Sequence, residues 1–529
     1  MSNIEKPTPS SIRETISYNP ATGEIIGKTK EDDIKTLQEA VTKARIAQKE
    51  WAEIGFEKRK DYLLKLRDFI VDNADEISEI ISKDNGKTRV DAMTTEVLSS
   101  AMAINYYAKN ASQILKRKHL KAGSILTINK RSYVDRVPYG IIGIISPWNY
   151  PFAISMHEIA MALISGNAVI LKTASQTLEV GKIINRAIQE SQFPNGVFTF
   201  VNIPGSLAGD AFIDSGIDKL FFTGSVAVGK LLAKKASEKL FPLSLELGGN
   251  DAMIVCNDAD LSQAANGALW GGFSNAGQSC AGIERIYVEE KIYDEFLSIL
   301  KNKLGKLRVG NGNSFDYDIG AITTTQQLEM IKNHVNDAIE KGGVKTSRGN
   351  LTDGGSFHQP TIIEQCNNDM ITMLDETFGP VLAIQKVSSI DEAIEKTNDS
   401  YLGLTASVWT RDSKLGKSIA AKLQVGAVMI NDHLMSHGLA ETPWGGFKLS
   451  GTGRTHSYLG LEAMTQPRVV IDDLLPLRKR NMWWYPYNKS VYDGLKGAMQ
   501  LLYSKDFFLR ANGLIKLIKV FLRSFTDDK

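Results

Sequence analysis

Apolar residues recur at helical spacing near the start of the chain. Their separations of three, four or seven positions place them on one face of a helix, and Asp32 and Asp33 stand where its N-cap is expected. A second helical run extends from Lys58 to Lys83 and stops near the turn signal Asn85-Gly86. The residues of the first face are Ile34, Leu37, Val41, Ala44 and Trp51.

Farther along, short apolar runs alternate with helical patterns. This alternation predicts βα units and a parallel sheet buried on both faces, and hence the α/β fold class. In such sheets ligands bind at the carboxyl ends of the strands, so the loops after the strands are where chemistry is expected. The predicted strands are 140–145, 168–171, 198–201, 219–222 and 252–256, and further helices are predicted near 262–273, 291–304, 326–341 and 413–423.

Two segments depart from this alternation. In 118–138, β-forming residues such as Thr127 and Tyr133 flank a polar stretch, which predicts a hairpin inserted into the α/β domain. The run from Val137 to His157 has no formal charge and is long enough to span a bilayer, but it contains three prolines and two glycines. Because proline disrupts a helix interior, we predict a buried strand followed by a functional loop.

Composition excludes several classes of function. The 62 Lys and Arg residues nearly balance the 60 Asp and Glu residues, so the net charge of +2 does not indicate a nucleic-acid partner. The three cysteines lie far apart, which argues against a disulfide framework and fits a reducing compartment. Cysteines and histidines show no metal-ligand spacing, so no metal is predicted. The polar N-terminus lacks a secretory signal, and we expect a cytoplasmic protein.

Seven motifs follow the predicted strands and loops in a fixed order. In this order and at these spacings, the set resembles the aldehyde dehydrogenase superfamily over roughly residues 15–475. The motifs are Ser146-Pro147-Trp148-Asn149-Tyr150-Pro151, Lys172-Thr173-Ala174-Ser175, the loop 223–229, Leu245-Glu246-Leu247-Gly248-Gly249, Gly277-Gln278-Ser279-Cys280, Glu376-Thr377-Phe378-Gly379-Pro380 and Pro443-Trp444-Gly445-Gly446-Phe447-Lys448.

The resemblance implies catalysis through a covalent thioester on Cys280. Its thiolate would attack the aldehyde carbon, and Asn149 together with the Cys280 backbone N–H would bind the oxyanion that forms. Glu246 would activate the water that hydrolyses the thioester, and Glu462 matches a family glutamate that helps to relay protons. Taken singly, the same residues are also compatible with a buried thiol, a turn asparagine and a solvated strand-end carboxylate.

The resemblance also implies a site for NAD or NADP. Gly224, Ser225 and Gly229 lie between a predicted strand and helix, where they would let the pyrophosphate reach the helix N-terminus. Lys172 is expected at the adenosine ribose and Glu376 at the nicotinamide ribose. The other expected cofactor contacts are Ser146, Pro147, Trp148, Ser175, Leu247, Gly248 and Phe378, the last beside the nicotinamide.

Two positions depart from the family pattern. NAD-preferring members carry a glutamate three residues after the lysine equivalent to Lys172, where its charge would repel a 2′-phosphate. Here that position is Ser175, so we expect NADP to be usable. Glu158 replaces a lysine common in relatives, and its charge is expected to alter the local proton network.

The implied fold has three parts. A Rossmann-like parallel-sheet cofactor domain would comprise 1–117 and 139–249, and an α/β catalytic domain would comprise 250–455. A small β oligomerisation element would be built from 118–138 and 463–473. Family members assemble through that element, so we expect a homodimer or homotetramer.

The segment 475–529 is a separate basic tail. It holds eleven Lys and Arg residues against four Asp and Glu residues, a net charge of +7. Lys516, Lys519 and Arg523 fall on one face of an amphipathic helix, and aromatic residues at 483–487 precede it, which suits a membrane surface. Packing on the protein itself or on a partner subunit is the alternative. The Trp-Trp-Tyr-Pro-Tyr sequence resembles that of one subgroup of the superfamily.

The expected reaction is oxidation of an aldehyde to its carboxylic acid. Ser279 and Ala281 flank Cys280 and are small, with no charged anchor for a second carboxylate, so a medium- or long-chain lipophilic aldehyde is favoured. A succinate-semialdehyde-type dehydrogenase, a CoA-acylating enzyme and a non-catalytic nucleotide-binding relative are the alternatives. CoA-acylating relatives typically lack the glutamate at the position of Glu246, which favours hydrolysis.

Overall fold

The computed structural model describes residues 13–347 and 355–526, and these form two compact units. The first unit contains the described residues up to Leu115 and those from Pro138 to Gln466. The second contains Lys116–Val137 and the described residues from Pro467 onward. None of the helices within these described ranges combines the length and the apolar character needed to cross a membrane.

The first unit contains a six-stranded sheet that includes four of the predicted strands. Its strands run parallel except for the edge strand at 451–452, and the central ones are buried apolar runs, as expected for a sheet covered on both faces. In spatial order they are β19 (Gly451–Thr452), β9 (Leu243–Glu246), β8 (Lys219–Thr223), β5 (Ile141–Ile145), β6 (Ala168–Lys172) and β7 (Phe198–Phe200).

A seven-stranded sheet in the same unit includes the fifth predicted strand. It is parallel except for its edge strand at 344–347, and its central strands are buried. In spatial order the strands are β12 (Val344–Ser347), β13 (Thr361–Glu364), β14 (Val381–Val387), β11 (Ile283–Glu289), β10 (Asp251–Val255), β16 (Thr405–Trp409) and β17 (Ala427–Ile430).

The remaining strands form three small antiparallel sheets. The predicted hairpin at 118–138 is confirmed as two paired strands, but Thr127 lies in a 3-10 turn (Ile125–Thr127) rather than in a strand. The strands are β1 (Glu14–Tyr18) with β2 (Ile25–Lys30), β15 (Leu402–Gly403) with β18 (Phe447–Lys448), and β20 (Thr465–Asp473) with β4 (Lys130–Pro138) and β3 (Lys118–Leu120).

Helices connect the strands. The run from Lys58 to Lys83 is not one helix, because it is divided at Asn73. The helices are α1 (Ile34–Glu53), α2 (Gly55–Asp72), α3 (Ala74–Asn85), α4 (Arg89–Asp91), α5 (Ser99–Ile114), α6 (Pro151–Ile164), α7 (Leu178–Glu190), α8 (Gly205–Asp214), α9 (Val226–Ser237), α10 (Leu261–Phe273), α11 (Tyr293–Leu304), α12 (Thr325–Glu340), α13 (Ile371–Leu374), α14 (Ile390–Asn398), α15 (Ser413–Ala420), α16 (Met435–Gly438), α17 (Ser457–Ala463), α18 (Lys489–Tyr503) and α19 (Phe507–Leu522). Apolar periodicity predicted α1, α10, α11, α12 and α15 among them.

The predicted domain boundaries stay predictions, with one detail that differs. The short strand β19 comes from the segment expected in the catalytic domain, yet Gly451 and Thr452 pair with Glu246 and Leu245 of β9 in the other sheet. This pairing fixes the end of the strand that carries Glu246, because β9 has neighbours on both sides.

The basic tail forms a helical hairpin of α18 and α19 in the second unit. Small residues let the two backbones approach closely, since a Cβ added to Gly513 would meet the carbonyl oxygen of Gly497 at 2.4 Å. The sequence predicted only one of these helices. It placed Lys516, Lys519 and Arg523 on one face of that helix. Arg523 begins the 3-10 turn that follows α19, and its guanidinium donates hydrogen bonds to the carbonyls of Trp484 and Pro486.

Candidate active site

Cys280 lies in the loop between α10 and β11, where three cavities meet. It is half-buried, whereas Cys256 and Cys366 are buried in the core. The loop requires a glycine at 277, which has a φ of +71° and where a Cβ would meet the carbonyl oxygen of Gly379 at 2.1 Å. The Gly277-Gln278-Ser279 segment thus presents Cys280 to the cavities.

Asn149 lies in the loop between β5 and α6, and it lines one of the cavities that Cys280 lines. Its side-chain Nδ2 donates a hydrogen bond to the carbonyl oxygen of Gln278 at 3.2 Å. A primary amide has two N–H groups, so the second remains to bind an oxyanion formed on a substrate at Cys280. The structure therefore brings together the two residues predicted to form and stabilise the covalent adduct.

A buried ion pair that the sequence did not reveal holds the Asn149 loop. Lys87 Nζ lies 2.5 Å from Glu96 Oε1 and donates to the Asn149 carbonyl oxygen at 2.7 Å, and both side chains are fully buried. Glu96 Oε2 accepts hydrogen bonds from the backbone N–H groups of Phe152 and Ala153 in the first turn of α6. Glu96 itself lies in a π-helical turn at 92–98.

Glu246 ends β9 with a buried carboxylate that faces the same region. Within the described residues neither of its oxygens has a hydrogen-bond partner. Burial, and then the charge of Glu158, raise the pKa of Glu246 well above its ordinary value, while Arg454 opposes the shift. A carboxylate with a raised pKa is a stronger base at neutral pH, which is the property required to take a proton from water or from a thiol.

A small cavity of about 20 Å³ separates Glu246 from Cys280, and we call it the water-sized cavity. Glu246, Cys280, Glu158, His437 and His456 are among the residues that line it. A cavity needs roughly 10–15 Å³ to hold one water molecule, so this space admits one water between the carboxylate and the thiol. The arrangement matches the requirement for hydrolysis of an ester formed on Cys280.

Acidic side chains lie near the thiol of Cys280. Burial, and then the nearby carboxylates of Glu376, Asp251 and Glu246, raise the pKa of the thiol. The resting cysteine is therefore protonated at neutral pH, and a base must remove its proton before attack. Glu246 is the titratable group of the water-sized cavity best suited to that step.

Most of the residues predicted to bind a dinucleotide line a second cavity of about 230 Å³, the cofactor cavity, which also contains Cys280. Gly224 and Ser225 lie at the start of α9, and the Ser225 hydroxyl caps that helix by accepting from the Val228 N–H. Two features fit a dinucleotide: this helix N-terminus suits a pyrophosphate, and Cys280 lines the same space. The other lining residues from the prediction are Pro147, Trp148, Asn149, Glu246, Leu247, Gly248, Glu376 and Phe378.

Glu376 reaches the cofactor cavity from the loop before β14. Its Oε1 accepts the Gly249 N–H at 2.9 Å, and burial raises its pKa well above the ordinary value. A second buried carboxylate, Glu284, accepts the N–H groups of Thr377 and Phe378 and so shapes this loop. The sequence singled out Glu376 and Phe378 but contained no signal for Glu284.

Five predicted residues lie outside the walls of these three cavities. Lys172 is buried at the end of β6, where burial lowers its pKa to about 8, and Ser175 begins the 3-10 turn that follows. Gly229 packs against Leu247 from α9, so it supports the cofactor cavity without lining it. The remaining two are Ser146, which accepts a hydrogen bond from Ser155, and Glu462, which is half-buried in α17.

The third cavity, of about 190 Å³, extends from Cys280 on the side of α5, and we call it the apolar cavity. Its walls are mainly apolar and aromatic, and the described residues that line it include no Lys, Arg, Asp or Glu. Such a space accepts a hydrocarbon chain better than a second charged group. Representative wall residues are Leu98, Met102, Ile154, Trp270, Leu434 and Trp444.

Comparison with known proteins agrees with the fold and the site. The model of the aldehyde dehydrogenase family matches residues 8–470. The chain is 35% identical to a 4,4'-diapolycopene aldehyde oxidase from Methylomonas sp over 93% of this chain and 92% of that protein. It is 37% identical to a "Putative succinate-semialdehyde dehydrogenase (NADP(+))" from Mycolicibacterium smegmatis, over 82% of this chain and 83% of that protein.

Solved structures show the same similarity. An aldehyde dehydrogenase from Brucella melitensis biovar abortus superposes with a TM-score of 0.83 at 32% identity, over 87% of this chain and 94% of that chain. An NAD+ complex of an aldehyde dehydrogenase from Bacillus cereus gives a TM-score of 0.83 at 31% identity, over the same shares of the two chains.

The fold and the matches define an α/β oxidoreductase that acts with a nicotinamide cofactor. The chain belongs to the aldehyde dehydrogenase family. It oxidises an aldehyde to the carboxylic acid, and its cofactor is NAD or NADP. The fold class predicted from the sequence is confirmed.

Proposed function

We propose that this enzyme oxidises medium- and long-chain lipophilic aldehydes, and that the apolar cavity beside Cys280 binds their hydrocarbon chains. The observation that carries the proposal is the absence of charged side chains from the described walls of that cavity. A semialdehyde carboxylate buried there would lose its hydration without gaining a cationic partner. One relative is named for a diapolycopene aldehyde and another for succinate semialdehyde, and the apolar walls favour the first class.

The proposed reaction begins at Cys280. Glu246 takes the thiol proton through the water in the water-sized cavity, and the thiolate then bonds to the aldehyde carbon. The Asn149 amide and the Cys280 backbone N–H hold the oxyanion, which shifts charge away from the buried acidic groups. When bound in the cofactor cavity, the nicotinamide supplies the hydride acceptor.

Release of the product then depends on water and on Glu246, which first gives up the thiol proton to solvent so that its carboxylate can act as a base again. The water in the water-sized cavity lies between Glu246 and Cys280, so its oxygen is directed at the acyl carbon while the carboxylate accepts its proton. The C–S bond breaks, and the acid leaves through the apolar cavity. Hydrolysis, rather than transfer to CoA, is supported by the presence of this buried base.

The test is turnover of linear aldehydes of increasing length, from ethanal to hexadecanal, beside succinic semialdehyde, with each cofactor and with or without CoA. We expect kcat/KM to rise with chain length and to be indifferent to CoA. Cys280→Ala should abolish activity, while Cys256→Ala, which alters a cysteine buried in the core, should retain it. A preference for succinic semialdehyde over hexanal would overturn the proposed substrate class.

We further propose that the helical hairpin α18–α19 binds anionic membrane surfaces. It exposes large apolar side chains, including Phe507 at 75% and Phe508 at 81%. Between Lys489 and Arg523 there are seven Lys and Arg residues and two Asp residues, a net charge of +5. Aromatic rings beside exposed lysines suit the headgroup region of a bilayer that contains acidic lipids. The aromatic tail also supports assignment to a subgroup with this Trp-Trp-Tyr-Pro-Tyr sequence.

Vesicle flotation of the full chain tests the membrane proposal. Binding to vesicles of phosphatidylcholine with phosphatidylserine is expected, and it should weaken with salt and without the acidic lipid. Lys496→Glu/Lys519→Glu should reduce binding, whereas Lys49→Glu/Lys58→Glu, which makes the same charge change at exposed sites in α1 and α2, should not. Equal flotation of both double variants, or no flotation of the wild type, would overturn it.

A homodimer or homotetramer is proposed through the sheet β20–β4–β3. Val469 and Ile471 on β20 are 58% and 64% exposed. Apolar side chains on a strand are usually covered, so their exposure favours a partner that packs on this strand. A second copy of this chain is the occupant that family assembly favours. Val469→Arg/Ile471→Arg should lower the mass measured by light scattering, and an unchanged mass would contradict the proposal.

A further inference from the structure

Three of the seven histidines converge beside Glu246, although they are widely separated in sequence. The ring centroids of His157 and His456 are 4.3 Å apart, those of His437 and His456 are 4.7 Å apart, and those of His157 and His437 are 5.5 Å apart. Together with Glu158, they form a group that we call the His–Glu cluster. It lies outside the set of residues that the proposed mechanism uses.

The cluster contains buried polar atoms that lack partners within the described residues. They are both ring nitrogens of His157, Nδ1 of His456 and Oε2 of Glu158, and the two Glu246 oxygens adjoin them. Buried polar groups are almost always hydrogen-bonded to protein or to ordered water. The unpartnered atoms of Glu246, Glu158 and His456, which all line the water-sized cavity, therefore indicate a bound water that links Glu246 to the imidazoles.

The cluster also leads from the buried base to an opening. Glu158, His437 and His456 line the water-sized cavity with Glu246, and His437 lines the apolar cavity as well. Leu98 and Met102 in the wall of the apolar cavity are 52% and 48% exposed, so this cavity reaches solvent and His437 connects the interior of the site to it. An imidazole accepts a proton on one nitrogen and donates from the other, which is the property of a relay.

We propose that Glu158 and the three histidines form a proton relay. The relay carries the proton that Glu246 holds after each hydrolysis away to solvent. The inference rests on the proposed function, because it needs Glu246 as the base. In that step the water oxygen bonds to the acyl carbon, one water proton goes to Glu246, the other leaves on the acid, and the C–S bond breaks to return the thiolate. The proton on Glu246 then passes through bound water and the imidazoles to solvent at His437.

The charges around Glu246 agree with this assignment. Burial raises the pKa of Glu158 to about 8 and lowers the pKa of His157 to about 3 and of His437 to about 4. The imidazoles are therefore neutral at rest and hold a proton only in passing. The groups facing Glu246 are Glu158 from α6, His437 from α16, His456 just before α17, Cys280 from its loop and Arg454 from the loop after β19.

A proton relay predicts slower deacylation with normal acylation, whereas a purely structural role of these residues does not separate the two steps. His437→Gln, His456→Gln and Glu158→Gln should slow deacylation by about 10–100-fold and leave acylation intact. With hexanal, each variant should therefore release a burst of one NAD(P)H per site and then turn over slowly. Added imidazole, which enters through the apolar cavity, should restore the slow phase of His437→Gln. His358→Gln, which replaces a half-buried histidine outside the cluster, is the matched control.

An activated ester separates failure of the relay from failure of the proposed function. p-Nitrophenyl hexanoate acylates Cys280 without cofactor, so it reports deacylation even if no aldehyde is oxidised. A p-nitrophenolate burst followed by slow, imidazole-dependent release supports the relay. Wild-type rates in all three variants, or equal loss of burst and turnover, would overturn it.

Discussion

Lys87 and Glu96 form a fully buried ion pair that holds the backbone of the Asn149 loop. The pair stabilises the site only while both partners are present, because removing one leaves an uncompensated buried charge. We expect Lys87→Met to lower the free energy of unfolding by about 3–5 kcal/mol, measured by urea denaturation. The double variant Lys87→Met/Glu96→Gln should lose less than the sum of the two single variants, and strict additivity would contradict the coupling.

Asn149 should contribute to kcat more than to substrate binding. Its amide is placed beside Cys280 by the hydrogen bond to the Gln278 carbonyl, with the second N–H left for the oxyanion. Asn149→Ala should lower kcat by about 10²–10³-fold with a smaller change in KM. Asn149→Asp keeps the shape of the side chain and should be no better, because a carboxylate repels the oxyanion. Recovery of activity in Asn149→Asp would argue for a purely steric role.

The parts of the structure that the sequence predicted are those controlled by local pattern. Buried parallel strands are continuous apolar runs, so β5, β6 and β8 could be predicted from the sequence. The family motifs located Cys280, Asn149 and Glu246. The contacts that hold these residues in position could not be predicted from the sequence. Lys87 and Glu96 resemble any two surface charges in sequence, and their pairing depends on burial that only the folded chain creates.

The same limit applies to other features. No proline or glycine marks Asn73, where the predicted helix 58–83 divides into α2 and α3, so the periodicity alone could not show the break. His157, His437 and His456 have no ligand-like spacing, yet the fold brings their rings together. Glu158 was recognised as a departure from the family, but its meaning required its position beside Glu246.

Asp84 should make stability fall as pH rises. It is a buried carboxyl whose pKa burial raises to about 7, although it accepts hydrogen bonds from the Ser17 hydroxyl and the Val180 N–H. Between the unfolded pKa of Asp84, near 4, and its folded pKa, about 7, the folded state binds one proton more than the unfolded state. The free energy of unfolding is therefore highest at the acid end of this range and falls as the pH approaches 7. The Asp84 contribution is on the order of 4 kcal/mol across the window.

The variant Asp84→Asn isolates this effect. It cannot ionise, and the Ser17 hydroxyl can accept from the new amide, so its free energy of unfolding should depend less on pH than that of the wild type. Urea denaturation at pH 5 and pH 8 should show the variant gaining relative to the wild type at the higher pH. A constant difference between the two proteins would show that Asp84 remains ionised throughout.

Ser175 should determine whether a 2′-phosphate is tolerated. It begins the turn after β6, three residues from Lys172, the residue that the family resemblance assigns to the adenosine ribose. Ser175→Glu introduces a carboxylate that repels a phosphate and can accept a hydrogen bond from a free 2′-hydroxyl. We expect kcat/KM for NADP to fall by about 10–100-fold while that for NAD holds or rises. Gln176→Glu adds the same charge at the next, exposed position and should change the ratio of the two cofactors much less. If Ser175→Glu leaves that ratio unchanged, the ribose of the cofactor does not lie beside this turn, and the assignment of Lys172 to it fails as well.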